Sequence, residues 1–134
     1  MRQRQAPSIP SSNQQQALFV LRAADMTLTT DQIFTKLFTG TNYKITDISA
    51  VRKSGAFGVT CAGGIYTAAS KGGSALVAAA QSWAGLSGAN KIAVATLAAL
   101  VATDIQSATP ILSLTTGNTG ALTADIFVYG IILD

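Results

Sequence analysis

Hydrophobic positions along this chain fall into short runs separated by small polar turns. From Ala17, the run ALFVLRA is apolar on both alternating sets: Ala17, Phe19 and Leu21 on one, Leu18 and Val20 on the other. A strand of this kind is covered on both faces. Residues 42–55, NYKITDISAVRKSG, alternate through Tyr43 and Ile45, then resume out of phase at Ile48 and Ala50. The slip near Thr46 and Asp47 predicts a β-bulge that bends the strand. CAGGIYTAASKGGSALVAAAQSW predicts two short strands around a glycine-rich hairpin, with Lys71, Gly72 and Gly73 at the turn. The closing stretch, ILSLTTGNTGALTADIFVYGIIL, predicts two final strands finishing a sheet, joined by a turn from Thr115 to Gly120.

Two segments carry a different period. In MTLTTDQIFTKLFTG, Thr29 or Thr30 can cap, Ile33, Phe34, Leu37 and Phe38 recur at helical spacing, and Gly40 ends the pattern, which predicts one short amphipathic helix. KIAVATLAALVATD, residues 91–104, is ambiguous. Its alanines permit a helix, while the alternation of Ile92, Val94 and Thr96 and the regular spacing of neighbouring strands favour a strand. Trp83, at the end of the preceding run, is read as a core or interface anchor. About seven short strands with one helix describe an all-β fold, a jelly-roll-like β-sandwich.

Residues 1–16, MRQRQAPSIPSSNQQQ, hold two of the three prolines and no aromatic residue. Such a segment buries too little to offset its ordering entropy, so it is expected to be a flexible N-terminal arm ahead of a sandwich domain at 17–134. Two readings of the arm stand side by side: a dangling terminus, or a segment that orders on a partner surface through Arg2 and Arg4. It lacks the apolar core of a secretory leader. The longest apolar stretch, Ile92 to Ala102, is interrupted by Thr96 and falls well short of the roughly 20 residues that span a bilayer.

Composition then narrows the function. Of 134 residues, 49% are hydrophobic and only 11% charged, against roughly one quarter charged in ordinary soluble domains. A weakly charged chain of this size is expected to cover much of its outside with partners. The net charge of +3 comes from scattered basic residues without aromatic interleaving, so no nucleic-acid face and no membrane surface are expected. There is no His and no Glu, and the six Asp form no motif. Acid–base chemistry near neutral pH would require a large pKa shift on Asp, Lys, Tyr or Cys. The chain is therefore read as a non-enzyme without metal or cofactor. Cys61 reads as a small buried thiol. The glycines at 72–73 lack the order of a phosphate-binding loop and read as a tight turn.

The order of pieces resembles a known group. The Gly-Gly-Ile-Tyr-Thr strand at 63–67, the apolar strand ending near Trp83-Ala-Gly-Leu, and the terminal LSLTT…GALTADIFVYG at 112–130 resemble the decoration, cement or head-fibre proteins of tailed bacteriophage capsids. The resemblance spans roughly residues 27–133 and is one of texture, most specific at its end. It implies a β-sandwich or jelly roll, no enzymatic activity, and a place on the outer surface of the virion after synthesis in the bacterial cytoplasm. The implied partners are the major capsid protein and further copies of the chain as a homodimer or homotrimer. The final strand fits this role. One alternating set is Leu122, Ala124, Ile126 and Val128; the other, Phe127, Tyr129, Ile131 and Leu133, is the candidate subunit or shell interface.

An alternative is a fibre domain that projects from the virion and binds a receptor or carbohydrate. It predicts an exposed aromatic and amide cluster, for which Trp83, Tyr66 and Asn90 are the nearest candidates.

Overall fold

The computed structural model describes residues 15–58, 61–87, 91–99, 101 and 103–134. Among them nine strands run in chain order: β1 (Gln16–Asp25), β2 (Gln32–Ile33), β3 (Thr35–Lys36), β4 (Tyr43–Gly55), β5 (Ala62–Ala68), β6 (Gly72–Val77), β7 (Ile92–Val94), β8 (Ile111–Thr116) and β9 (Leu122–Ile132). They form two antiparallel sheets, one ordered β3-β1-β9-β4-β7 and the other β2-β8-β5-β6. The fold is an all-β sandwich. Leu18, Phe19, Ile45, Ile48, Ala50, Ile126 and Val128 from the first sheet and Ile65, Leu76, Leu112 and Leu114 from the second are buried in one core. At one end Phe19, Phe38 and Tyr43 meet edge to face, with ring centroids 5.2–5.7 Å apart, and the Tyr43 hydroxyl donates to the Ala108 carbonyl. Such contacts satisfy a buried phenol while filling volume.

The phase slip in residues 42–55 is a bulge. Register against β9 shifts between Ile45 and Asp47, so Tyr43, Ile45, Ile48 and Ala50 all face inward while Thr46 is exposed. Leu18, Phe19 and Val20 are buried in succession, as the doubly apolar run predicts, and a register shift between Ala17 and Phe19 lets Leu18 and Phe19 both reach the core. β1 begins at Gln16, which pairs with Gly130, so the arm expected over 1–16 gives its last residue to the sheet. Arg2 and Arg4 lie outside the described residues.

The helix expected within residues 26–40 is absent. Ile33 and Leu37 are 64% and 50% exposed, whereas Phe34 is buried and Phe38 packs on the core, so the four share no face. The segment is divided between the two sheets: Gln32–Ile33 pairs with β8 and Thr35–Lys36 with β1. Six β-branched residues, Thr27, Thr29, Thr30, Ile33, Thr35 and Thr39, disfavour a helix. An isolated turn or two gains little, while neighbouring strands satisfy this backbone directly: Phe34 N donates to Pro110 O at 3.1 Å and Leu37 N to Leu18 O at 2.8 Å. The helical residues described are a 3₁₀ turn at Ala84–Ser87. Of the segment 91–104, favoured as a strand, Ile92–Val94 is one, and the other described residues there add only an isolated bridge from Leu97 to Val77.

The two final strands do not finish one sheet. β8 belongs to the four-stranded sheet and β9 to the five-stranded one, so the segment after Thr116 crosses between layers. Asn118 holds this crossing. Its side chain accepts from Gly58 N at 2.6 Å and donates to Ala56 O at 3.0 Å and Gly120 O at 2.6 Å, while its amide donates to Met26 O at 2.7 Å. The residue is only 6% exposed. Asn118→Ala keeps the bond to Met26 O but removes the side-chain partner of Gly58 N, Ala56 O and Gly120 O, and is expected to cost about 2–3 kcal/mol, read as a lower urea midpoint at unchanged slope.

The β5–β6 hairpin turns earlier than its glycines predict. Gly72 N donates to Ala69 O at 3.0 Å, and the central residues are Ser70 and Lys71, at φ 57° and 59°. Left-handed backbone at two non-glycine positions needs support. It comes from a polar clasp: Ser70 N donates to Asp31 Oδ2 at 2.7 Å, and Lys71 Nζ donates to Ser113 Oγ at 2.9 Å and Thr29 O at 3.3 Å.

This clasp has a pH signature. The Ser70 amide and the Ser113 hydroxyl lower the Asp31 pKa; the Thr27 hydroxyl and amide do the same for Asp25, and the Thr41 and Asn42 amides for Asp134. Each folded-state value lies below its unfolded one. The stability they contribute is therefore present above about pH 4 and is lost as pH falls through the folded values. With no His in the chain, thermal midpoints are expected to be flat from about pH 5 to 8 and to drop below about pH 4. Asp31→Asn should make that acid drop shallower.

Candidate assembly surface

Two strands of the five-stranded sheet set the character of its outer face. β9 lies between β1 and β4, and its burial alternates without interruption: Leu122, Ala124, Ile126, Val128, Gly130 and Ile132 are buried, while Thr123, Asp125, Phe127, Tyr129 and Ile131 are half-buried on the opposite side. Asp125 is the only charge in that outer set, because the strand is built from β-branched and aromatic residues on both faces. β4 alternates on either side of its bulge, with Lys44 outward before it and Asp47, Ser49 and Val51 outward after it.

Pairing lines these residues into rows. One row crosses all five strands: Thr35, Val20, Phe127, Ser49 and Val94. A second runs from Asp125 through Val51 to Ile92, a third from Ala17 through Tyr129 to Asp47, and a fourth joins Ile131 to Lys44. Phe127 and Tyr129 stack with ring centroids 6.1 Å apart and planes 24° apart. The Arg22 guanidinium lies 6.0 Å from the Phe127 centroid and 3.8 Å from an Asp125 oxygen. Asp125 Oδ1 also accepts from Ala23 N at 2.7 Å, where β1 bulges with Ala23 at φ 50°.

The centre of this face is thus largely apolar and half-buried, and its exposed apolar side chains lie toward the β7 edge. Val51, Ile92 and Val94 are 39%, 48% and 63% exposed. Of the four residues expected to form an interface, Phe127, Tyr129 and Ile131 stand in line on it; Leu133 lies beyond the end of β9, 41% exposed. Val51, Ile92 and Val94 complete the surface, with Val20 in the same row but covered by its neighbours; none of the four stands out in the sequence as an interface residue. In KIAVA the larger residues point outward and Ala93 and Ala95 point into the core, the reverse of what residue size would assign.

Other candidates resolve differently. Trp83 is fully buried, its indole N–H donating to Gly63 O at 3.2 Å, and Tyr66 is 7% exposed. The aromatic cluster that carbohydrate binding would use is therefore absent at these two residues, because both fill space beside β5; Asn90 lies outside the described residues. Cys61 is buried against Met26 O, and burial raises its thiol pKa to about 11. A cavity of about 400 Å³ lies over the clasp, lined by Thr29, Thr30, Asp31, Ser70, Lys71 and Ser113. Its charged groups already bond to one another or to backbone. No family model matches the chain, and neither a curated protein nor a solved structure matches it.

Proposed function

We propose that this chain is a structural virion protein that binds the outside of a tailed-phage capsid and stabilises the shell by bridging its subunits. The observation that carries the reading is the second apolar face of β9, half-buried along the middle of the five-stranded sheet with Val51, Ile92 and Val94 exposed beside it, where a monomer would normally be polar. The low charge content and the sequence resemblance support the same role. Strand pairing supports the jelly-roll architecture expected with it. Setting the two-residue β3 aside, β1 pairs with β9, β2 with β8, β4 with β7 and β5 with β6, the pattern of one long hairpin wound into two sheets.

The mechanism is mechanical. A shell under internal DNA pressure fails where subunits part, and a small protein seated across two of them adds contact area at that seam. Each copy needs only a modest interface, because stable specific contacts bury on the order of 1,600 Å² in total and many copies act on one lattice. The arm, with Arg2 and Arg4, is proposed as a second contact on acidic shell residues.

Purified protein should co-sediment with capsids and raise the temperature at which they release DNA. Neither effect occurring would overturn the proposal. Removing residues 1–14, which leaves β1 intact, should weaken shell binding without altering the circular dichroism spectrum; unchanged binding would remove the arm from the mechanism.

A further inference from the structure

The outer face of the five-stranded sheet carries both charge signs, three of the groups toward its two ends and Asp47 in the row of Tyr129 near its middle. Asp125, with Arg22 beside it, stands at one end of the outer row on β9; Lys44 stands at the other, paired with Ile131. Asp47, paired with Tyr129, is the remaining acidic group of the rows described. Arg22 and Lys44 thus balance Asp47 and Asp125. A strongly acidic or strongly basic partner would leave half of these groups opposed by like charge.

We infer that this face binds a second copy of the chain, sheet against sheet, about a two-fold axis that lies in the interface and crosses β9 between Phe127 and Tyr129. The inference rests on the proposed reading of the chain as an assembling virion protein; with this face covered by a second copy, the shell contact falls to the arm and to the remaining surface of the dimer. A two-fold interface is self-complementary, so each feature must meet its own counterpart through the axis. Here the stacked Phe127 and Tyr129 of one copy would lie on Tyr129 and Phe127 of the other, and the β7 edges carrying Val94 would face each other. The same rotation exchanges the ends of β9, bringing Lys44 of the second copy beside Asp125 of the first, and the reciprocal pair with it. Within one copy these two groups cannot meet: they are six residue levels apart along β9, about 20 Å.

The area is adequate. β1, β9 and β4 together present a surface about 14 Å wide and 34 Å long, which β3 and β7 widen; corrugated by side chains, it approaches the roughly 800 Å² per partner of a standard interface. Apart from Asp47 its centre is apolar and its ends are polar, close to the anatomy of such interfaces.

The test uses the purified full chain without capsids, in sedimentation equilibrium, so a failed dimer and failed capsid binding are read separately. A dimer is expected at micromolar concentration. Lys44→Asp and Asp125→Lys should each weaken it by about tenfold or more, since each places like charges together twice. An equimolar mixture of the two variants should recover the lost affinity, because both cross pairs are then opposite in sign. Val94→Arg, at a site exposed enough to leave the fold intact by circular dichroism, should abolish association and keeps the test valid if Asp125→Lys disturbs the β1 bulge. A chain that stays monomeric to about 100 μM, a dimer indifferent to Lys44→Asp or Val94→Arg, or two folded charge variants that fail to recover on mixing would overturn the inference.

Discussion

Gly130→Ala is expected to abolish folding. A Cβ at this position would sit 1.9 Å from the Lys44 carbonyl oxygen and 2.7 Å from Leu18 Cδ1. Neither neighbour can retreat cheaply. Lys44 is backbone in β4, held at Ile131 and flanked by the Ile45–Gly130 pair, while Leu18 is fully buried beside the bulge in β1. Relief would require β9 and β4 to separate at the centre of the sheet, a cost on the order of 4 kcal/mol or more against a domain stability of roughly 5–15 kcal/mol. The variant should accumulate in the insoluble fraction and, if refolded, lack a cooperative thermal transition. Gly120→Ala is the matched control: a Cβ there would meet nothing within 4 Å, and its effect should stay within about 0.5 kcal/mol. A soluble, cooperatively melting Gly130→Ala protein would show that the strands are less tightly apposed than described.

Trp83→Ala should be nearly as damaging, and by another route. The indole is fully buried and joins the 3₁₀ turn at Ala84–Ser87 to β5 through its bond to Gly63 O; Trp83 N donates to Cys61 O at 3.0 Å. Truncation removes the largest side chain of the core and leaves a cavity that a sandwich closed on both sides cannot collapse, costing about 3–5 kcal/mol. For a domain of this length that corresponds to a fall in thermal midpoint of roughly 10–20 °C. Trp83→Phe keeps most of the volume and should recover more than half of the loss. A midpoint within about 5 °C of the parent for Trp83→Ala would mean that the core closes over the space the indole fills.

How much of this was legible in the sequence depends on whether the signal was local. The bulge at Thr46 was, because a one-residue slip in an alternating pattern has one geometric cause. The two apolar faces of β9 were, because eleven consecutive residues hold the alternation. The segment around Phe34 and Phe38 was not: apolar residues four apart satisfy a helix, but they also satisfy a chain that passes between two sheets and buries one aromatic in each passage. The turn after Thr116 carried the same ambiguity, since a hairpin and an inter-layer crossing use the same small polar residues; only the partners of Asn118 distinguish them. The outer rows were beyond reach for a related reason. Val51, Ile92 and Val94 become neighbours of Phe127 only through pairing across intervals of 33 to 76 residues, and no local pattern encodes which strands meet.

The position of β9 between β1 and β4 also sets an order of events. β1 is synthesised well before its principal partner, which lies after Gly120, so the five-stranded sheet cannot close while the chain is still short. Loop-closure entropy must be met before that pairing returns any free energy, which places folding in the slow, millisecond-to-second class of long-range β topologies. The open face exists only once β9 has been inserted. A chain without β9 cannot display Phe127 and Tyr129 in register with Ser49 and Val94, so any partner that reads this face can bind only after the sheet has closed.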